Sequence, residues 1–172
     1  MTPARENDES IEPRSDLSGD SALRPSMISR VLLPVAKQLP RGSWPVTFCL
    51  ASIDPALRDH PIRLRSWPER TFRLDLREPA FQMFFRHGCI PHQLGEEAVL
   101  LGLIRPGDVV YDIGANVGYL TVLFLRAVGS SGCVHAFEPS RRAASFLRRN
   151  LCAGDSVVVN EIALSNSLGE MD

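Results

Sequence analysis

Two acids, Asp112 and Glu138, stand 26 residues apart, and the turn Gly114-Ala115-Asn116-Val117-Gly118 follows the first of them. Each acid closes a short apolar run: Val109-Val110-Tyr111 leads into Asp112, and Cys133-Val134-His135-Ala136-Phe137 leads into Glu138. Such runs read as buried parallel strands, and open parallel sheets bind their ligands beyond the carboxyl ends of the strands. Glycines at 114 and 118 let the backbone bend sharply and approach a ligand without a Cβ in the way. An acid at the end of the next strand can accept hydrogen bonds from both hydroxyls of a ribose. In this order, the set describes a site for an adenosine-containing cofactor.

The turn also says which cofactor. A dinucleotide site wants G-x-G-x-x-G, so that a helix N-terminus can take the pyrophosphate. Here Asn116 stands where the second glycine would be, and Asp112 lies two residues before Gly114. A carboxylate beside a pyrophosphate is repulsive, whereas beside the ammonium of an amino-acid tail it is attractive. S-adenosylmethionine has such a tail and no phosphate, so the sequence favours it over a nicotinamide cofactor.

These residues need elements to hold them. Thr71 to Leu76 alternates apolar and polar residues as a half-buried strand does. Pro79 opens a helix with Phe81, Phe84 and Phe85 at helical spacing, and Gly88 closes it. A second helix is predicted from Leu94 to Ile104, stopped by Pro106-Gly107. After the strand at Val109–Asp112 come a helix over Tyr119–Val128, a strand over Cys133–Phe137, a helix capped by Ser140 and running to Asn150, and a third strand over Val157–Ala163. The order β-α-β-α-β begins a doubly wound α/β sheet. Residues 1–26 read as a disordered tail, because they are too polar to offset the entropy of ordering. Residues 27–70 read as an irregular N-terminal extension. Ser29 to Gln38 is expected as a short helix broken at Pro34, and prolines 40, 45, 55, 61 and 68 are expected to keep the rest in loops and short extended pieces.

The string Asp112-Ile113-Gly114-Ala115-Asn116-Val117-Gly118-Tyr119, preceded by Pro106-Gly107-Asp108-Val109-Val110, resembles the first motif of the FkbM family of S-adenosylmethionine-dependent methyltransferases. Ala136-Phe137-Glu138-Pro139 resembles the family's second segment. Leu147 to Asn150 resembles its L-x-x-N, and Ala163-Leu164-Ser165 with Gly169-Glu170 resembles its next. The resemblance covers about residues 80–172 and extends faintly to 71. It implies the N-terminal half of a Rossmann-like class I methyltransferase sheet, with residues 71–172 as a partial FkbM-type domain. Asp112, Gly114, Asn116 and Gly118 would then shape the pocket for the methionine part of S-adenosylmethionine, and Glu138 would hold the ribose hydroxyls. Ala163 would lie near the adenine through its backbone, and Glu97, or its neighbour Glu96, would reach the cofactor's amino-acid end. The resemblance implies O-methylation of a small molecule, sugar or lipid, by direct displacement at the sulfonium methyl. The chain stops just after the third strand, where such a sheet normally continues. A fragment or a truncated gene product is therefore expected, with no catalytic residue to name. A non-catalytic remnant that binds cofactor weakly or not at all is the alternative. A half-sheet with an apolar edge is also expected to self-associate.

Composition sets the outer bounds. The chain has 172 residues, 44% hydrophobic and 23% charged, which excludes wholesale disorder, collagen and coiled coil. A net charge of −1 gives no long-range pull toward nucleic acid or an anionic membrane, so neither is expected as a partner. Cys49, Cys89, Cys133 and Cys152 show no CxxC spacing, and His87 and His92 flank Cys89 with the wrong geometry for a metal, so no metal site is expected. No stretch is long and apolar enough to span a bilayer, and the expected localisation is cytoplasmic.

Overall fold

The apolar run at Val109–Ile113 forms the first strand of a three-stranded parallel sheet. In a computed structural model, residues 23–39, 43–166 and 169 are described. The chain runs through helices α1 (Met27–Gln38) and α2 (Ser43–Ile53), a 3₁₀ turn, and strands β1 (His60–Arg63) and β2 (Thr71–Leu74). Then follow α3 (Gln82–His87), α4 (Leu94–Leu103), β3 (Val109–Ile113), α5 (Tyr119–Val128), β4 (Cys133–Phe137), α6 (Arg141–Asn150) and β5 (Val157–Asn160).

Strands β3, β4 and β5 lie side by side in chain order and run parallel, with Asp112 opposite Ala136 and Ile113 opposite Phe137. This is a partial Rossmann-like α/β arrangement. Both crossover helices cover the same face. Phe124, Leu125 and Val128 of α5 pack on Val134, and Leu147 of α6 packs on Ala136. Among the described residues nothing covers the opposite face: Val109, Tyr111, Ile113 and Val158 are all exposed. There the Tyr111 ring stacks on His135 at 5.1 Å and on Phe137 at 6.1 Å.

A second core lies outside the crossover helices. Phe72 and Leu74 of β2, Phe84 of α3, Tyr119 and Val122 of α5, and Phe146 of α6 bury one another. Strand β2 pairs with β1 as an antiparallel hairpin, so a strand on one side of residue 70 is joined to a strand on the other. Asn150 fastens the hairpin to the glycine turn. It is 1% exposed, its Oδ1 accepts from the Arg73 N–H, and its Nδ2 donates to the carbonyls of Arg73 and Val117.

Residues 27–70 depart from the irregular extension expected of them. Helix α1 is continuous, with Pro34 inside it; the carbonyl Pro34 leaves unpaired belongs to Arg30, and both residues are exposed to water. Pro45 stands in the first turn of α2, where no intrahelical N–H is needed. Leu33, Leu50, Leu57, Leu76 and Phe85 form a further apolar cluster that ties both helices to the rest. The third parallel strand ends at Asn160, not at Ala163. Residues 1–22 of the expected tail lie outside the described residues, as do Pro40 and Glu170.

Candidate functional site

The glycine turn is shaped from both ends. The N–H groups of Gly114 and Ala115 donate to the Phe137 carbonyl at 2.9 and 3.0 Å, which pins the turn to the end of β4. Gly114 and Gly118 have φ of 80° and 89°, and Asn116 has φ of 50°, the left-handed region that glycine and asparagine tolerate. The Asn116 N–H donates to Glu138 Oε2 at 2.9 Å, and the Ser140 N–H donates to Glu138 Oε1 at 2.8 Å. One carboxylate thus holds together the turn and the start of α6. Its oxygens keep further lone pairs for a ligand.

Asp112 is 6% exposed, and its Oδ2 accepts from the Thr121 hydroxyl at 2.5 Å. Burial holds its carboxyl above the usual carboxylate range; the Thr121 bond opposes this and the Glu138 charge adds to it. Glu97 on α4 is 4% exposed and its neighbour Glu96 is exposed, so the inward acid of the pair is Glu97. Tyr119 donates its hydroxyl to Glu97 at 2.8 Å. Burial raises the Glu97 pKa against that bond, and burial together with Glu97 raises that of the Tyr119 phenol.

Asp112, Gly114 and Asn116 share the wall of a hollow of about 290 Å³ with Phe81, Phe84 and Tyr119. None of its lining residues is Lys or Arg. A smaller hollow of about 210 Å³ adjoins it across Asn116 and reaches Ser140 and Arg142. Glu138 lines neither and stands one hydrogen bond behind Asn116. Glu97 is connected to the larger hollow through Tyr119. Gly118 lines neither hollow; a Cβ on it would meet Leu147 Cδ1 at 2.5 Å, so it lets α5 sit close to α6. Ala163 is exposed and lies three residues beyond the end of β5, in the wall of neither hollow.

Three residues here were not singled out from sequence: Thr121, Tyr119 as the partner of Glu97, and Asn150 as a clamp. For Thr121 a signal existed. It sits in the first turn of α5, and a crossover helix returns over the strand that precedes it. For Asn150 and Tyr119 the partners are far apart in the chain, and no local pattern marks them.

The fit of S-adenosylmethionine is tested by the donor set. A carboxylate in a hollow without a cation is hostile to a pyrophosphate and suited to an ammonium. Asp112 therefore fits the cofactor's ammonium end, while Glu138, in the wall of neither hollow, meets the turn through the Asn116 N–H.

No protein-family model matches the chain. The 31-O-demethyl-FK506 methyltransferase FkbM of Streptomyces tacrolimicus is 47% identical over 47 residues. The likeness is to an FkbM methyltransferase. It covers 27% of this chain and 18% of that enzyme, so the chain spans under a fifth of that relative's length. A solved structure described as an rRNA-methylase from Clostridium thermocellum overlaps 40% of each chain with a TM-score of 0.39 and 21% identity, too little to carry an argument.

Proposed function

We propose that this chain carries the methionine- and ribose-binding part of an S-adenosylmethionine site in an FkbM-type methyltransferase that methylates a hydroxyl of a small molecule, sugar or lipid. The observation that carries the reading is the Asp112 carboxylate, buried in a hollow without cations, beside a turn held by Glu138 at the end of the neighbouring parallel strand. Asp112 attracts the cofactor's ammonium, and the turn presents backbone rather than side chain at Gly114. Glu138 accepts from the ribose hydroxyls with the lone pairs its two backbone donors leave free. Glu97, through Tyr119, fixes the aromatic wall. When bound, the cofactor supplies an electrophilic methyl on a sulfonium; the protein's task is to position it. The reading takes the protein as cytoplasmic; all four cysteines are free thiols, which a reducing compartment preserves.

Calorimetric titration tests this against the dinucleotide alternative. The chain is expected to bind S-adenosylhomocysteine and to give no saturable heat with NAD. Binding of NAD in preference would overturn the reading, and binding of neither would favour a non-catalytic remnant.

A further inference from the structure

A larger cleft opens on the far side of the β1–β2 hairpin. Its volume is about 910 Å³, and Lys37, His60, Arg63, Arg70, Arg73 and Arg149 all line it. Glu69 is the single acid in its wall. The whole chain has a net charge of −1, so composition does not account for five cations in one concavity.

Their partners show where charge is left over. Arg70 is paired to Asp155, and Arg73 and Arg149 both reach Asp59, at 3.1 and 3.5 Å. Lys37 meets the Phe85 ring at 5.8 Å, and Arg63 donates to the Glu69 backbone carbonyl at 2.9 Å. Neither Lys37 nor Arg63 meets a carboxylate among the described residues. His60 lines the same wall, and its ring packs edge-on against Phe85 at 5.8 Å. Burial, with Lys37 close by, lowers the His60 pKa to about 4, so its ring adds no charge to the cleft at pH 7.

We propose that this cleft binds a phosphate-bearing small molecule, with Lys37 and Arg63 supplying the charge. Guanidinium and ammonium groups converging in a concavity are what a phosphate needs. The volume suits a ligand of sugar-phosphate or nucleotide size. A nucleic acid would call for a long cationic stripe, not a cleft closed by a hairpin and helix ends. The site is separate from the cofactor hollow, shares only Phe84 with its wall, and does not depend on the methyltransferase reading.

The test titrates the full chain with inorganic pyrophosphate and with glucose 1-phosphate at low salt, by calorimetry. Saturable one-to-one binding is expected. Lys37→Gln and Arg63→Gln each remove one exposed cation and are expected to weaken it about tenfold. Neither is expected to alter S-adenosylhomocysteine binding or the circular dichroism spectrum. Absence of saturable heat with both probes, or equal affinity in both variants, would overturn the proposal. So would tighter binding of a short RNA or DNA duplex that the same substitutions abolish.

Discussion

Asp112 occupies a position that folding alone would not choose. It is a carboxylate 6% exposed, with one hydroxyl donor, and the Glu138 charge acts on it unfavourably. Because burial raises its pKa in the folded state, the folded protein holds its proton where the unfolded chain has released it. Stability from this group is therefore present at acid pH and lost as pH rises through the folded pKa. Asp112→Asn keeps the shape and an acceptor for Thr121. It is expected to raise the thermal midpoint relative to the parent at pH 8, with little difference at pH 4, while weakening S-adenosylhomocysteine binding. Thermal scans at the two pH values check the first part, and a variant no more stable at pH 8 would contradict it. At Glu97 the reverse cut is informative. Tyr119→Phe strands a buried carboxylate and is expected to cost about 1–3 kcal/mol in urea unfolding. Both acids were legible in the sequence, Asp112 because it ends a strand and Glu97 only as one of two neighbours. What separated Glu97 from Glu96 is the facing of α4, and its apolar residues lie on most of its faces and give the sequence no clear face to read.

At the scale of elements, the turn and the helix after it are held by close approach and by one buried amide. Gly118→Ala combines a φ of 89° with a clash into fully buried Leu147, and is expected to cost roughly 2–4 kcal/mol. Gly114→Ala meets open space and carries only the backbone strain, about 1–2 kcal/mol. Equal losses would mean that α5 and α6 do not pack as described. Asn150→Ala removes the side-chain bonds to the Arg73 N–H and the Val117 carbonyl and is expected to cost roughly 2–3 kcal/mol. The parallel strands and their crossover helices were legible because apolar run, glycine turn and capping residue agree at each step. Of the N-terminal helices, the first was expected over Ser29 to Gln38 but broken at Pro34, and the second was not expected. Pro34 and Pro45 speak against helix locally, yet each sits where the missing N–H costs little, one at a wet carbonyl and the other in a first turn. Strand β1 was hidden by Pro61, which a two-stranded hairpin tolerates. Ala163 was placed at a strand end because apolar residues continue past Asn160, whereas pairing stops there.

Among the described residues, helices cover the parallel sheet on one side only. Val109, Tyr111, Ile113 and Val158 form an exposed apolar face, and β3 and β5 leave open edges. Apolar surface and unpaired strand edges together favour association. Sedimentation velocity is expected to show dimers or larger species at micromolar concentration, and Val109→Lys with Ile113→Lys is expected to reduce them. A parent chain that is monomeric throughout would contradict this. Charge balance and apolar fraction could not announce that face, because its residues look like any buried strand until the helices are seen to cover the other side. The central claim is that Asp112, the glycine turn and Glu138 form one cofactor site, and it is tested most directly by titrating S-adenosylhomocysteine into the parent chain and into Glu138→Ala side by side. The account predicts binding to the parent and a loss of about 1–3 kcal/mol in a folded variant. An unchanged affinity in that variant would remove Glu138 from the site and contradict the account.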